Sequence, residues 1–452
     1  MGIIDRLFGS TKTIKKLETQ VKALQRSYLG MQINATTAIY PSWQVVENID
    51  QYCTIDDVYS IISYLSETAA RIPMYGYQIV DDSMMKRYKA HGQQSIQGKH
   101  YRLKAMQDLP DTDPFVEFID SISYEDKIKY FTILYVTGEL FLYKEVIELG
   151  PNQGKVYLHA LNNQNVQVIV TDSFPQRVIG YRYFDIGFDG KFTTDEIIHI
   201  KYYNPTITNG LQFRGLSPLQ VLTKRITRLN AGMDASVGQI QNGGIPGIVY
   251  EKNEFAIETL GERKNDFAKY LHNSSNKGAP YFAGGEMGYI PLGLPLADMD
   301  VVELQKIDFT KLCNAYKFPE VLLNNTDAST YDNMNTALKM LYTNSILPNI
   351  YLFRDALLNG VLTLPKFMDN VKRTIEIDIS EIPALQDDMK AQADALNAMW
   401  WITPNEKREI QQFEEIDNPL MNQIIIDGGK QLLVDLNGGV EDMPVYEEQR
   451  IV

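Results

Sequence analysis

The side chains able to hold a metal, attack a carbonyl or shuttle a proton are few in this chain and stand apart. None of its five histidines, His91, His100, His159, His199 and His272, has a partner at metal-ligand spacing, and HExxH, HxH and CxxC are all absent. His199 falls on an apolar strand pattern and reads as a packed core residue. Cys53 and Cys313, the two cysteines, lie far apart, which predicts neither a disulfide framework nor a thiolate metal site. GxSxG, GxxxxGK[ST] and GxGxxG do not occur, so acyl transfer and nucleotide hydrolysis have no residue set. Gly243-Gly244 and Gly284-Gly285 read as turn glycines, because no lysine follows them at phosphate-loop spacing. The adjacent pairs Asp387-Asp388 and Glu414-Glu415 face different ways on a helix and read as solvated. No catalytic residue, metal or cofactor is expected, and the chain does not read as an enzyme.

What remains is charge carried on a rod. Lys224, Arg225 and Arg228 cluster in a stretch, Ile197 to Met233, that holds no acidic residue. The element that must position them is a long helix. Ser217 is suited to its N-cap, Pro218 to its first position, and Asn242-Gly243-Gly244 to its end. Between them Leu219, Leu222, Ile226, Leu229, Met233, Val237 and Ile240 recur every 3.5 residues on average, the period of a seam between packed helices. At 1.5 Å per residue the rod is roughly 35 Å long. An apolar seam with basic outer positions suits a spoke in an assembly better than the wall of a catalytic pocket.

Composition sets the frame. A chain of 452 residues supports roughly three domains with cores of their own. Its 44% hydrophobic content and mean hydropathy of -0.23 are those of an ordinary globular protein. No run approaches 18 consecutive apolar residues, so no membrane span and no membrane partner is expected. The first residues carry neither a cleavable apolar leader nor a myristoylation pattern, and the simplest expectation is a soluble protein of a reducing cytoplasm. The net charge of -14 is uneven: from Thr374 onward 17 Asp and Glu face 5 Lys and Arg. That balance argues against a tight grip on phosphates, though not against a wall past which DNA slides.

The pattern along the chain is α+β. Residues 1–40 read as an arm, in which 14–29 has a basic amphipathic pattern. A helix is expected from Ile55 to Arg71, with Thr54 and Asp57 as its capping box, and then a strand over MYGYQIV. The polar stretch 81–110 reads as a loop, and one helix is expected from Pro114 to Val136. Five strands follow, in ELFLYKEVI, KVYLHAL, VQVIV, RVIGYRYFD and EIIHIKYY, with a turn at Gly187 to Gly190. Beyond the rod lies an insert over 242–300 with a strand GIVYE, a polar helix Glu254 to Leu271, a strand near PYFAGG and a Gly/Pro-rich return. A helix over Val301 to Tyr316, an irregular segment to Tyr331, a helix to Leu358 kinked at Pro348, a strand TIEIDI and a mainly helical remainder complete the chain.

Taken in order, these segments resemble the HK97-type portal proteins of tailed bacteriophages. The matching stretches are SETAARIPMYGYQI, GELFLYKE, EIIHIKYY, RGLSPLQVLTKRITRLNAG, NGGIPGIVYEKN, KLCNAYKFPEVLLNN, TALKMLYTNSILPNI and ITPNEKRE. The resemblance implies an α+β multidomain portal fold: a wing (41–215), a first stem helix (216–241), a clip (242–300) and a second stem helix (301–317). A tunnel loop (318–331), a tunnel helix (332–360), a return strand to the wing (361–383) and an acidic crown (384–452) would follow. It implies a homo-oligomeric ring, usually of twelve subunits, at one capsid vertex, through which double-stranded DNA is packaged and ejected without sequence specificity. Large terminase, head–tail adaptor and major capsid protein are the implied partners, in the virion and, during assembly, in the host cytoplasm. Asn324, Asn325, Thr326, Ser329 and Thr330 would then sit in the tunnel loop near DNA, small and polar enough to touch it without holding it. Glu254, Glu262, Arg263 and Lys264 would sit in the clip, where motor and adaptor dock. Lys224, Arg225 and Arg228 would line the channel or form ion pairs between subunits. Another head–tail connector component is the alternative reading.

Overall fold

The computed structural model describes residues 36–41, 44–91, 96–241, 247–251, 265, 269, 287–291, 301–324, 331–369, 371–379, 382–385, 389–410, 416–426 and 431–432. Strand β1 (Thr36–Ile39) lies inside the expected arm, whose residues 1–35 fall outside the described set. Helices α1 (Gln44–Thr54) and α2 (Asp56–Ala70) follow with only Ile55 between them. The capping box expected at Thr54 and Asp57 does not form. Thr54 still belongs to α1 and donates back to the Asp50 carbonyl at 2.8 Å, while Asp56 accepts from the Asp57 N–H at 3.0 Å.

After β2 (Met74–Ile79), the stretch read as a polar loop folds into α3 (Asp82–His91), α4 (Ile96–Ala105) and β3 (Met106–Asp108). Its apolar residues are sparse, but Met85, Tyr88, Ala105 and Met106 converge on one small core. Asp81 starts α3 by accepting from the Ser83 and Met84 N–H groups at 2.7 and 3.3 Å. The single helix expected from Pro114 is two, α5 (Pro114–Asp120) and α6 (Tyr124–Thr137). Ser121 ends the first by bonding the Phe118 carbonyl at 2.7 Å.

The strands are β4 (Glu139–Val146), β5 (Val156–Ala160), β6 (Val166–Thr171), β7 (Val178–Asp185), β8 (Phe188–Thr193) and β9 (Ile197–Lys201). Five match the expected runs; β8 begins inside the expected turn. The rod is α7 (Pro218–Gln241). In the insert, β10 (Gly247–Glu251) pairs antiparallel with β11 (Met287–Pro291), so the second strand lies in the stretch read as a return. The expected strand near PYFAGG lies outside the described residues, as do all but two positions of the expected polar helix.

Helices α8 (Val301–Tyr316), α9 (Val321–Asn324) and α10 (Tyr331–Leu341) lead to a π-helical turn at Tyr342–Ile346 and then α11 (Leu347–Val361). The irregularity therefore precedes Pro348 instead of falling on it. A proline ring crowds the carbonyl one turn back and offers no N–H, and widening that turn relieves both problems. Last come β12 (Arg373–Ile377), α12 (Met389–Ala398), α13 (Pro404–Ile410), β13 (Ile425–Ile426) and β14 (Gln431–Leu432).

These α+β elements divide between two compact units, 1–69 with 125–143 and 160–349, and 70–124 with 144–159 and 350–452. The stretch 41–215, read as one wing, contributes to both. In the first unit an antiparallel sheet runs in the order β1-β6-β7-β8. Val166, Val168 and Val170 alternate onto one face, where Ile39, Phe141, Tyr181, Phe192 and Ile197 close the core. The first five residues of β4, Glu139 to Tyr143, pair antiparallel with β9 in the same unit. In the second unit the order is β12-β2-β3, and all five residues of β12 are buried. Its Arg373 pairs with Asp113 at 3.2 Å and with Asp369, and its Glu376 accepts from the Tyr88 hydroxyl at 2.9 Å.

Candidate functional site

Helix α7 starts as its sequence dictates: the Leu219 N–H donates to Ser217 Oγ at 3.1 Å, and Pro218 takes the first position. It packs against α8. Leu219, Leu222, Ile226 and Leu229 on α7, and Phe309, Leu312, Cys313 and Tyr316 on α8, are all buried. At about 2 kcal/mol for each fully buried leucine-sized side chain, this half of the seam holds the chain's own helices together. Farther along, the seam leaves the core. Met233 is half-buried and Val237 is 50% exposed, while the Ile240 side chain lies outside the described residues. Val221 on α7 is 69% exposed, and Leu304 and Ile307 on α8 are exposed too.

The basic shoulder finds a carboxylate within the chain. Asp308 on α8 receives Arg225 Nη1 at 3.3 Å and Arg228 Nε at 2.9 Å, with a second N–H of Arg228 on its other oxygen. The Asp308 side chain is buried, whereas both guanidinium groups are about half in water. Lys224 is exposed. Of the three residues expected to face the channel or a neighbouring subunit, two are thus joined by an ion pair between the two long helices of one chain. Asn324 ends α9, and Asn325, Thr326, Ser329 and Thr330 lie outside the described residues, as do Glu254, Glu262, Arg263 and Lys264.

Among the described residues, hydrogen bonds gather where α7 begins and α8 ends. The last carbonyls of α6 have no partner within their own helix. Both long helices supply one: Tyr316, at the end of α8, donates its hydroxyl to the Tyr135 carbonyl at 3.0 Å, and Ser217, at the start of α7, donates to the Val136 carbonyl at 2.6 Å. Three residues after Val136, Glu139 opens β4 with a fully buried carboxylate. Arg214 pairs with one of its oxygens, and the Gly215 N–H donates to the other at 3.0 Å. Arg214 also donates to the Val166 carbonyl at 2.6 Å, and Asn163 Nδ2 bonds the Thr137 hydroxyl and the Glu139 carbonyl at 2.7 and 2.6 Å.

Two glycines allow this approach. Gly138 has φ +77°, and a Cβ there would stand 2.5 Å from the Ser217 nitrogen; a Cβ on Gly215 would run into the Gly138 carbonyl oxygen. Burial alone would push the Glu139 carboxyl up, but Arg214 above all, with the Gly215 N–H, holds it below the ordinary carboxylate range. His199 stacks on Phe141 with centroids 4.2 Å apart, and its Nε2 lies 3.5 Å from Glu139, longer than a good hydrogen bond. Burial lowers its pKa below 6.5 against the pull of Glu139, which leaves it a neutral core residue at pH 7.

Nothing in this arrangement is poised for bond-making. Burial pushes the Cys313 thiol up to about 12, which removes it as a nucleophile. Among the described residues no group of His, Cys, Asp and Glu could hold a metal ion, and no helix is long and apolar enough to cross a membrane. The chemistry of the site is cohesion. Sequence reasoning left Glu139, Arg214 and Tyr316 without a role. The available signal was a lone glutamate heading the apolar run LFLY, and a lone arginine just before Gly-Leu-Ser-Pro.

The model of the family described as "Phage portal protein" matches residues 124–411, which spans α6 to the end of α13 and holds the whole site. The chain belongs to the phage portal protein family. Among curated proteins, this portal-family chain is 25% identical over 241 residues to the portal protein of Escherichia phage T5, covering 52% of this chain and 57% of that protein. It is 24% identical to an uncharacterized protein of Rickettsia bellii, over 51% of this chain and 60% of that one. The chain thus spans about six-tenths of the length of the curated relatives it matches. Among solved structures, a chain from the neck of an empty GTA particle computed with C6 symmetry shares the fold. It has a TM-score of 0.57 and 18% identity, with 84% of this chain and 96% of that one covered. A chain from the virion of the native gene transfer agent (GTA) particle gives a TM-score of 0.55 at 18% identity, covering 87% and 99%.

Proposed function

We propose that this chain assembles into a closed ring, of twelve copies, at one vertex of a phage or phage-like capsid, and that double-stranded DNA enters and leaves through the ring. The observation that carries this reading is the division of apolar surface on the two long helices. The buried seam is satisfied within one chain, yet Val221, Val237, Leu304 and Ile307 on the same helices remain exposed. Leaving such side chains in water forfeits burial energy that a neighbouring copy would recover. In a head-to-tail ring every copy offers one such surface to the next, and the rotation closes. The net charge of -14 suits a conduit that DNA passes without sticking, since tight phosphate contacts would stall it.

In this reading α7 and α8 are the stem, and the insert carrying β10 and β11 is the clip. Glu254, Glu262, Arg263 and Lys264 meet the large terminase during packaging and the head–tail adaptor afterwards. The segment holding Asn324, Asn325, Thr326, Ser329 and Thr330 is the tunnel loop beside DNA, the acidic C-terminal region faces the capsid interior, and the wing meets the major capsid protein. The role is structural, with no reaction and no cofactor. The test is the assembly state of the purified full chain by mass photometry and negative-stain microscopy. Closed rings with a central hole are expected, and Val221→Asp with Ile307→Asp should leave a folded monomer. A monodisperse monomer at high concentration overturns the reading.

A further inference from the structure

A ring of fixed subunit number makes an angular demand on each copy. Twelve-fold closure turns successive subunits by about 30° and thirteen-fold closure by about 28°, so a uniform ring must hold its geometry to about 2°. Over a helix roughly 35 Å long, 2° moves the far end by only about 1 Å. A loosely attached stem would wander farther than that.

The attachment seen here is constrained at several points. The start of α7 and the end of α8 are hydroxyl-bonded to two consecutive carbonyls, Val136 and Tyr135, so neither helix can swing alone. Immediately after them, Gly138 and Gly215 touch backbone to backbone, where any side chain would wedge them apart. Glu139 then clamps the segment just before α7 at two points, through the Arg214 guanidinium and the Gly215 N–H. Arg214 spreads the clamp to β6 through the Val166 carbonyl. Desolvated hydrogen-bonded charges tolerate little change of geometry, because each displacement leaves a buried charge under-paired. Hydrophobic packing alone would not impose such an angle.

We infer that this root, with Glu139 and Arg214 as its positioning residues, fixes the angle at which the paired helices leave the sheet and thereby fixes the subunit number of the ring. The inference rests on the ring reading above. Its test compares the subunit-number distribution of the wild-type chain, by native mass spectrometry, with those of two variants. Glu139→Leu with Arg214→Met removes both charges together and so strands neither. Ser217→Ala with Tyr316→Phe removes only the two hydroxyl–carbonyl bonds. Far-UV circular dichroism and thermal melting establish that each variant is folded; should the first not fold, the second decides.

The expected result is a single subunit number for the wild-type chain and a spread over neighbouring numbers for a folded root variant. As a contrast, Val221→Ser on the outer face of α7 should raise the concentration needed for assembly without spreading the number. Folded root variants that keep the wild-type's single number overturn the inference while leaving the ring reading intact. A wild-type chain that forms no ring overturns both.

Discussion

Two arginine–carboxylate groups lie along the stem, one at the root of α7 and one between α7 and α8, and they work under opposite conditions. At the root, Glu139 and Arg214 both have side chains no more than 3% exposed. Midway along, Asp308 is equally buried, but its partners Arg225 and Arg228 are 43% and 46% exposed. Water can rescue the arginines of the second pair when the carboxylate is lost. It cannot reach Arg214. Each group joins arginine to a buried carboxylate, so the main difference is one of dielectric surroundings and of geometry. The outer pair fastens two helices side by side, where a small slip costs little. The inner pair fastens a helix to a sheet at a point where backbone touches backbone.

The comparison can be broken first at the root. Glu139→Gln strands the Arg214 charge in the interior and should lower stability by about 3–5 kcal/mol in urea denaturation. A loss no larger than that caused by Asp308→Asn would show that the two pairs are equivalent. Salt sharpens the contrast next. The stability gap between wild type and Asp308→Asn should be the smaller one and should narrow further at moderate salt, because its arginines are screened by solvent ions. The Glu139→Gln gap should stay constant over the same range, and a salt-sensitive root would mean that water enters it.

The smallest effect is in pH. The folded pKa of His199 is shifted below 6.5, so well above pH 6.5 folded and unfolded chains both hold it neutral. As pH falls through that value the unfolded chain takes a proton that the folded chain refuses, and stability drops. The melting midpoint should therefore decline from about pH 7 to pH 5.5, and His199→Phe, which preserves the stack on Phe141, should flatten part of the decline. An unchanged slope in that variant would place the titrating group elsewhere.

Much of the architecture was legible in residue order. Ser217-Pro218 began the rod where expected, and five strand runs fell on strands, because caps and alternation are local properties. The misreadings have a common cause. Residues 81–110 looked like a loop because their helices bury only a few side chains, Met85 and Tyr88 among them, whose worth depends on meeting Ala105 and Met106. The Pro114 helix was read through a break that Ser121 imposes by a single side-chain bond. The seam of α7 was correctly spaced, but spacing cannot tell which half is spent inside the chain and which is left outside. The basic shoulder was visible as charge, whereas its partner lay 80 residues away on another helix.

By itself the sequence determined the class of molecule: a long seamed helix, an acidic balance, and an order of segments resembling a portal. Periodicity, capping and composition are written within a few turns of chain, and that is enough for them. The root was decided only by tertiary structure. Glu139, Arg214, Ser217 and Tyr316 are spread over nearly 180 residues, and each is an ordinary residue where it stands. They become a joint because folding withdraws water from all of them at once. The strength of a charge or a hydroxyl depends on that withdrawal, which no local pattern records.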